Sequence, residues 1–161
     1  MAKPGLTDAI QDYLREIYKL GADGNRVSVT ALAKRQGVSP ASASAMVKKL
    51  AALDLAVHQP YRGITLTNAG EKVALEVIRH HRLLELYLAE TLGVDVDEVH
   101  GEAERLEHAL SEELEERIDK VLGFPTHDPH GDPIPDANLQ WPQPAATAAG
   151  SGHRAKRRSN S

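Results

Sequence analysis

The chain has 161 residues, 41% of them hydrophobic, with one Phe, one Trp, no Cys and a formal net charge of −4. Disulfides, thiolate metal sites and cysteine nucleophiles are therefore excluded, and the core must come mostly from Leu, Val, Ile and Ala, which suits helices. No apolar run approaches the roughly 20 residues of a membrane span, and the N-terminus lacks a signal-peptide pattern, so a cytoplasmic protein with no membrane partner is expected.

Charge is segregated along the chain. Residues 1–70 carry a balance of +4, residues 71–136 one of −12 and residues 137–161 one of +4. A basic first part suits a polyanion and an acidic middle suits cations, although acidic helices can simply be well solvated.

The first predicted helix runs from about Thr7 to Leu20. Ile10, Tyr13, Leu14, Ile17 and Tyr18 form its apolar stripe and Gly21 ends it. A loop over 21–25 leads to a short helix over Val29–Gln36, which Gly37 is placed to terminate in a left-handed conformation. Ser39 then serves as an N-cap and Pro40 as the first residue of a second helix within 38–55. Two helices joined by a short Gly-containing turn make a helix-turn-helix. The alternating segments 55–59 and 64–68, joined by PYRG at 60–63, read as a β-hairpin with Tyr61 and Arg62 at its tip. Together these elements form a winged helix.

A long helix is predicted from Ala69 to about Leu92, with Asn68 as its cap and Glu71 in reach of a capping box. It is apolar over much of its circumference (Val73, Leu75, Val77, Ile78, Leu83, Leu84, Leu86 and Leu88), which points to burial against a second subunit. One further helix is predicted to about Val121. Four prolines keep 125–135 out of a helix. From 137 onward the Ala, Gly, Ser, Pro and Arg content has the signature of a disordered basic tail.

If the second helix of the motif enters a major groove, its first turns face the bases. Ser39, Pro40, Ala41, Ser42 and Ser44 stand there, small enough for close approach but without a bidentate Arg or Asn code. Arg26, Lys34, Arg35, Lys48, Lys49 and Arg62 are candidates for phosphates, with Asp54 the one acid between 26 and 62. The expected partner is double-stranded DNA, held largely through its backbone.

The stretch VHGEAERLEH, 99–108, places His100, Glu104, Glu107 and His108 at i, i+4, i+7 and i+8, along the edge of an apolar stripe of Val99, Ala103, Leu106 and Leu110. On the preceding helix His81 and Glu85 form an i, i+4 pair, and on the first helix Asp12 interrupts apolar surroundings. A solvated acidic face is one reading. If the three helices pack together, however, four carboxylates and three imidazoles converge, and such a cluster repels itself without a cation. The chain contains no Glu-x-x-His, HExxH, Gly-rich phosphate loop or Ser-centred elbow, so an enzyme is not expected.

From about Thr7 to Pro135 the chain resembles the metal-dependent repressors related to the diphtheria toxin repressor and the manganese-transport regulators. The resemblance rests on DYLREIY (12–18), VSPASASAMVKKL (38–50), LTNAG (66–70), HRLLE (81–85), VHGEAERLEH (99–108) and PHGDPIP (129–135). It implies a primary, activating metal site of Asp12, Glu104, Glu107 and His108, and an ancillary site of His81, Glu85 and His100. Iron-responsive relatives carry Met and Cys where this chain has Asp12 and Glu104. Hard oxygen in their place favours Mn2+, with Fe2+ as a second candidate. Arg15 stands where the small manganese regulators have a glutamate. Relatives with an SH3-like C-terminal domain draw ancillary ligands from it, and no such domain is expected here.

The expectation is thus a mainly α homodimer. A winged helix-turn-helix over 1–70 would bind operator DNA, and an all-helical domain over 71–136 would dimerise and hold metal, followed by a basic tail over 137–161. The function expected is Mn2+-dependent transcriptional regulation, most simply repression of metal-uptake genes. The alternative keeps the winged helix but makes the His/Glu cluster structural, with a different effector. A metal-buffering protein without specific DNA sites is a third reading.

Overall fold

The computed structural model describes residues 6–143. Six helices and one two-stranded sheet follow in the order α1 (Asp8–Gly21), α2 (Val29–Gln36), α3 (Pro40–Ala52), β1 (Ala56–Gln59), β2 (Gly63–Leu66), α4 (Asn68–Glu90), α5 (Val99–Leu106) and α6 (Glu112–Val121). Among the described residues no helix is long and apolar enough to cross a membrane.

Side-chain caps fix most helix starts. Thr7, Ser28, Ser39 and Ser111 accept from the backbone N–H three residues on, each worth about 1 kcal/mol. Gly37 ends α2 in the left-handed conformation at φ 65°, and its N–H returns to Ala33 and Lys34. α3 follows directly, so the helix-turn-helix forms where the sequence placed it. The hairpin pairs Ala56 with Leu66 and Gln59 with Gly63 in antiparallel register. Its loop is therefore 60–62, one residue shorter than expected, with Tyr61 at φ 69°. Gly63 is required there: at φ 84° an added Cβ would come within 2.6 Å of the Val27 carbonyl oxygen.

The cap of α4 is Thr67 and not Asn68. Its hydroxyl accepts from Gly70 N and donates to Asp54 O, so the expected Asn68–Glu71 box does not form. Gly70 packs against the strand entry so closely that a Cβ would lie 1.9 Å from Leu55 O.

α4 is the spine. Its N-terminal half packs through Val73 and Ala74 into the winged-helix core of Ile10, Leu14, Ile17, Leu32, Val47, Leu50 and Ile64. Its C-terminal half holds Leu84 and Leu88 against Val99, Ala103 and Ile118. On a third side Leu83 and Leu86 meet Ile134. The eight apolar α4 residues taken as a sign of a second subunit are thus already buried within one chain. In the helical half, the large exposed apolar side chains among the described residues are Leu92, Val96, Leu106, Leu114, Val121 and Phe124.

The single helix expected after residue 98 is two. α5 stops at Leu106, a turn follows, and Ser111 caps α6. Leu106, the last residue of α5, is exposed although it follows Val99 and Ala103 in the apolar spacing. The segment after α6 runs back across α4 as a strap. Ile134 N donates to Thr126 O, Arg79 Nη1 to Pro135 O and Arg82 Nη1 to Pro133 O. Arg79 is buried and also pairs with Glu115 and Asp119, pinning α6 to the spine. Such a charge is tolerated only with its partners in place, and removing one costs about 3–5 kcal/mol.

Residues 137–143, expected in the disordered tail, continue the strap. Asp136 Oδ1 accepts from Asn138 N and Gln140 N, and Trp141 stacks on Tyr18 of α1 while donating to its hydroxyl at 2.9 Å. The basic residues of the tail, KRR at 156–158, lie outside the described residues.

Candidate metal centre

Three helices and a turn bring the histidines and carboxylates together. Asp12 is carried by α1, and Glu107 and His108 by the turn that follows α5. His81 and Glu85 lie on α4 and His100 on α5. Asp12, Glu107 and His108 each offer a ligand atom within 4.8 Å of the others, and so do His81, Glu85 and His100. These groups contain six of the seven residues singled out from the sequence.

In the first group, His108 Nε2 lies 2.9 Å from Asp12 Oδ1 and 3.4 Å from Glu107 Oε1. The other ring nitrogen, Nδ1, is 2.7 Å from the amide oxygen of Gln11. An amide oxygen only accepts, so Nδ1 carries the proton and Nε2 is the atom presented to the site. Hydrogen bonding to Asp12 raises the His108 pKa, against the effect of burial. Gln11 is buried beside Asp12 and had no signal in the sequence beyond being a polar residue on an apolar helix face.

Glu107 is 2% exposed and, besides facing His108, accepts two hydrogen bonds. One oxygen takes Arg15 Nη1 at 2.7 Å, and the other takes His81 Nδ1. His81 in turn meets Glu85 through Nε2. Burial disfavours a charged His81 ring, but the hydrogen bonds with Glu107 and Glu85 outweigh it and push the pKa up to about 9. Glu85 is held down at about 2: burial works against the carboxylate, and His81 and then His100 more than compensate. One imidazole therefore joins the two groups, touching a carboxylate of each.

Glu104 is placed differently. Its side chain is about half exposed and its Oε1 lies 3.1 Å from His100 Nε2, so it is not among the ligand atoms grouped around Asp12. It still lines the same cleft of about 450 Å³ as Asp12, Glu107 and His108.

The strap adds a third group that the sequence reading did not assign. His130 Nδ1 lies 3.0 Å from Glu85 Oε2, and Asp128 completes a set with them. Asp128 is buried, which raises its pKa, and its Oδ1 accepts from His130 N and Asp132 N. A tight turn at Gly131, φ 86°, aims both side chains at α4. The signal in the sequence was the PHGDPIP motif over 129–135, which carried part of the resemblance but to which no ligand role was given.

All donors are carboxylate oxygen or imidazole nitrogen. That set fits a divalent cation of the Mn2+ or Fe2+ type and offers nothing to a metal that needs thiolate.

On the other side of the winged helix, Ser39, Pro40, Ala41 and Ser42 are exposed in the first turn of α3, and Ser44 is half-buried. Arg26, Lys34, Lys48, Lys49 and Arg62 are all exposed. Tyr61, at 88% exposure, tops the hairpin.

Two family descriptions match the chain: the iron dependent repressor N-terminal DNA binding domain over residues 5–64, and the iron dependent repressor metal binding and dimerisation domain over 67–136. An uncharacterised HTH-type transcriptional regulator of Methanocaldococcus jannaschii is 39% identical over 114 residues, 70% of this chain and 91% of that protein. The iron-dependent repressor IdeR of Mycobacterium leprae is 38% identical over 144 residues, 89% of this chain and 63% of IdeR. Among solved structures, a manganese-dependent transcriptional repressor in complex with manganese superposes with a TM-score of 0.76 at 49% identity, covering 84% of this chain and 63% of that one. The chain thus spans somewhat under two thirds of the length of the last two relatives. With a winged helix joined to a helical, histidine- and carboxylate-rich half, and with both halves matched, the chain belongs to the iron-dependent repressor family of metal-dependent, DNA-binding transcriptional regulators.

Proposed function

We propose that the protein is a Mn2+-responsive repressor whose DNA-binding half, 1–70, is set in position by a metal site it shares with the helical half, 71–136. The observation that carries this reading is the grouping of Asp12, from the first helix of the winged helix, with Glu107 and His108 of the helical half. A divalent cation there would take Asp12, Glu107 and His108 as ligands and so tie the first helix to the helical half. Gln11 keeps the His108 proton on Nδ1 and leaves Nε2 directed at Asp12. The carboxylates at 12 and 104, and the lack of any sulfur ligand, favour Mn2+ over metals that prefer thiolate, with Fe2+ a weaker substitute.

His81, Glu85 and His100 form the ancillary site, and Asp128 and His130 reach it from the strap. Because His81 Nδ1 meets Glu107, filling the ancillary site steadies the Glu107 carboxylate. Glu104 stands at the mouth of the cleft as a further donor for the primary site. Ser39 to Ser44 of α3 approach the bases, and Arg26, Lys34, Lys48, Lys49 and Arg62 hold phosphates. Two copies of the chain join through exposed apolar residues of the helical half. Leu114 and Val121 share one face of α6 at i, i+7, and Phe124 follows. A regulator acting on operator DNA works in the cytoplasm.

The test is a Mn2+ titration of wild type and Glu107→Gln by calorimetry. Gln keeps the volume and a hydrogen-bonding group next to Arg15 and His81. The variant should remain folded and lose the site that switches on DNA binding. Unchanged stoichiometry and affinity in the variant would overturn the assignment.

A further inference from the structure

Arg15 occupies an unexpected position for a cation. Its Nη1 donates to Glu107 Oε1 at 2.7 Å, and its Nη2 lies 3.5 Å from Asp12 Oδ1. These are the same two oxygen atoms that face His108 Nε2, at 3.4 and 2.9 Å. The guanidinium is itself largely buried, at 12% side-chain exposure. The two carboxylates of the proposed primary site are therefore already neutralised in part by a charge belonging to the chain.

The guanidinium also has somewhere else to go. Its Nε lies 3.3 Å from Glu16 Oε1, outside the ligand group. The other oxygen of Glu16 takes Arg35 Nε of α2 at 2.9 Å, on the outer side of the helix-turn-helix. All of these residues line one cleft with Asp12, Glu104, Glu107 and His108.

We propose that Arg15 is a built-in counter-cation that competes with the metal for Asp12 and Glu107, and so sets the metal concentration at which the regulator switches. This rests on the reading of Asp12, Glu107 and His108 as a metal site. In metal-free protein the arginine suppresses the repulsion between the two carboxylates and keeps them together. A divalent ion accepted by the same oxygens repels the guanidinium at short range in a partly dry cleft, where charges interact far more strongly than in water. Arg15 then retracts toward Glu16, which must share its carboxylate between Arg15 and Arg35. The arrangement trades affinity for a threshold: scarce metal leaves the arginine in place, and abundant metal displaces it.

Two substitutions with opposite expected signs test this, read by calorimetric Mn2+ titration of the chelator-stripped protein. Arg15→Gln removes the competitor and should tighten Mn2+ binding at the primary site by roughly tenfold or more. It should also lower the melting temperature of the metal-free protein and enlarge the rise that Mn2+ produces. Glu16→Gln touches neither Asp12 nor Glu107 but removes the alternative perch, so Mn2+ binding should weaken by roughly threefold or more. If Arg15 merely orients Glu107 for the metal, Arg15→Gln binds more weakly, which overturns the proposal. Unchanged affinity in Glu16→Gln overturns it as well, and that variant remains informative if Arg15→Gln fails to fold. Wild-type protein that binds no Mn2+ at this site would overturn the underlying metal reading, a result separable from either variant's behaviour.

Discussion

His108 Nε2 and Asp12 Oδ1 are 2.9 Å apart although 96 positions separate the two residues in the chain. Asp12 lies on a helix whose apolar face is part of the winged-helix core, whereas His108 follows the helix that packs on the far half of α4. Any ion that binds both therefore acts across the boundary between the DNA-reading half and the helical half. The orientation of α3 relative to a partner copy is then coupled to metal by rigid elements rather than by a flexible linker.

The His81 cluster makes stability depend on pH in a defined direction. His81 has its pKa raised from 6.5 to about 9 in the folded protein, so its stabilising contribution is complete below pH 6.5 and fades as pH climbs to about 9. His108 is raised as well and acts in the same direction. Glu85 is lowered from 4.5 to about 2, so its contribution holds above pH 4.5 and is lost as pH falls toward 2. Chelator-treated protein should accordingly lose melting temperature between pH 6.5 and 9. His81→Gln should flatten that decline. With saturating Mn2+ the trend should reverse, because a bound ion needs the His81 Nε2 lone pair free of its proton. A wild-type profile without a decline over that window would show that His81 is not held as the charged partner of Glu107 and Glu85.

Lys48 is exposed on α3 and makes no ion pair among the described residues, so its expected role is with phosphate rather than within the protein. Lys48→Ala should weaken binding to specific and non-specific DNA alike and reduce the magnitude of the slope of log K against log salt by about one. Binding measured across a salt series on two unrelated duplexes checks this. A loss confined to one sequence would assign Lys48 to base recognition.

Local signals carried much of the sequence reading. Gly37 and Ser39 mark the helix-turn-helix because caps act over three or four residues, and Ser39 followed by Pro40 leaves little choice of where α3 begins, whereas the Ser28 cap of α2 went unread. The break between α5 and α6 was hidden because apolar spacing continues through Leu106 and Leu110 with no Gly or Pro between them. The signal available was Ser111 ahead of Glu112, Glu113 and Glu115, a cap with acids in the first turn. Glu104 is a different case: Glu107 keeps helical backbone geometry, its N–H bonded to Ala103 O, and is buried against Arg15 and His81, while Glu104, three residues earlier, is half exposed beside His100. Gln11, Arg79, Asp128 and His130 could not be assigned at all from periodicity. Each acquires its role from a contact across the fold, and Asp128 and His130 lie on an irregular strap whose path is set by Arg79, Arg82 and Ile134.

The most direct measurement is fluorescence anisotropy of the purified protein on a pool of labelled genomic fragments, with chelator, with Mn2+ and with Mg2+ in parallel. Binding that appears with Mn2+ but with neither chelator nor Mg2+, and that is lost in Glu107→Gln, is the expected result. Equal binding under all three conditions would leave the winged helix as a DNA-binding module, make the His/Glu cluster a structural feature, and contradict metal control through Asp12, Glu107 and His108.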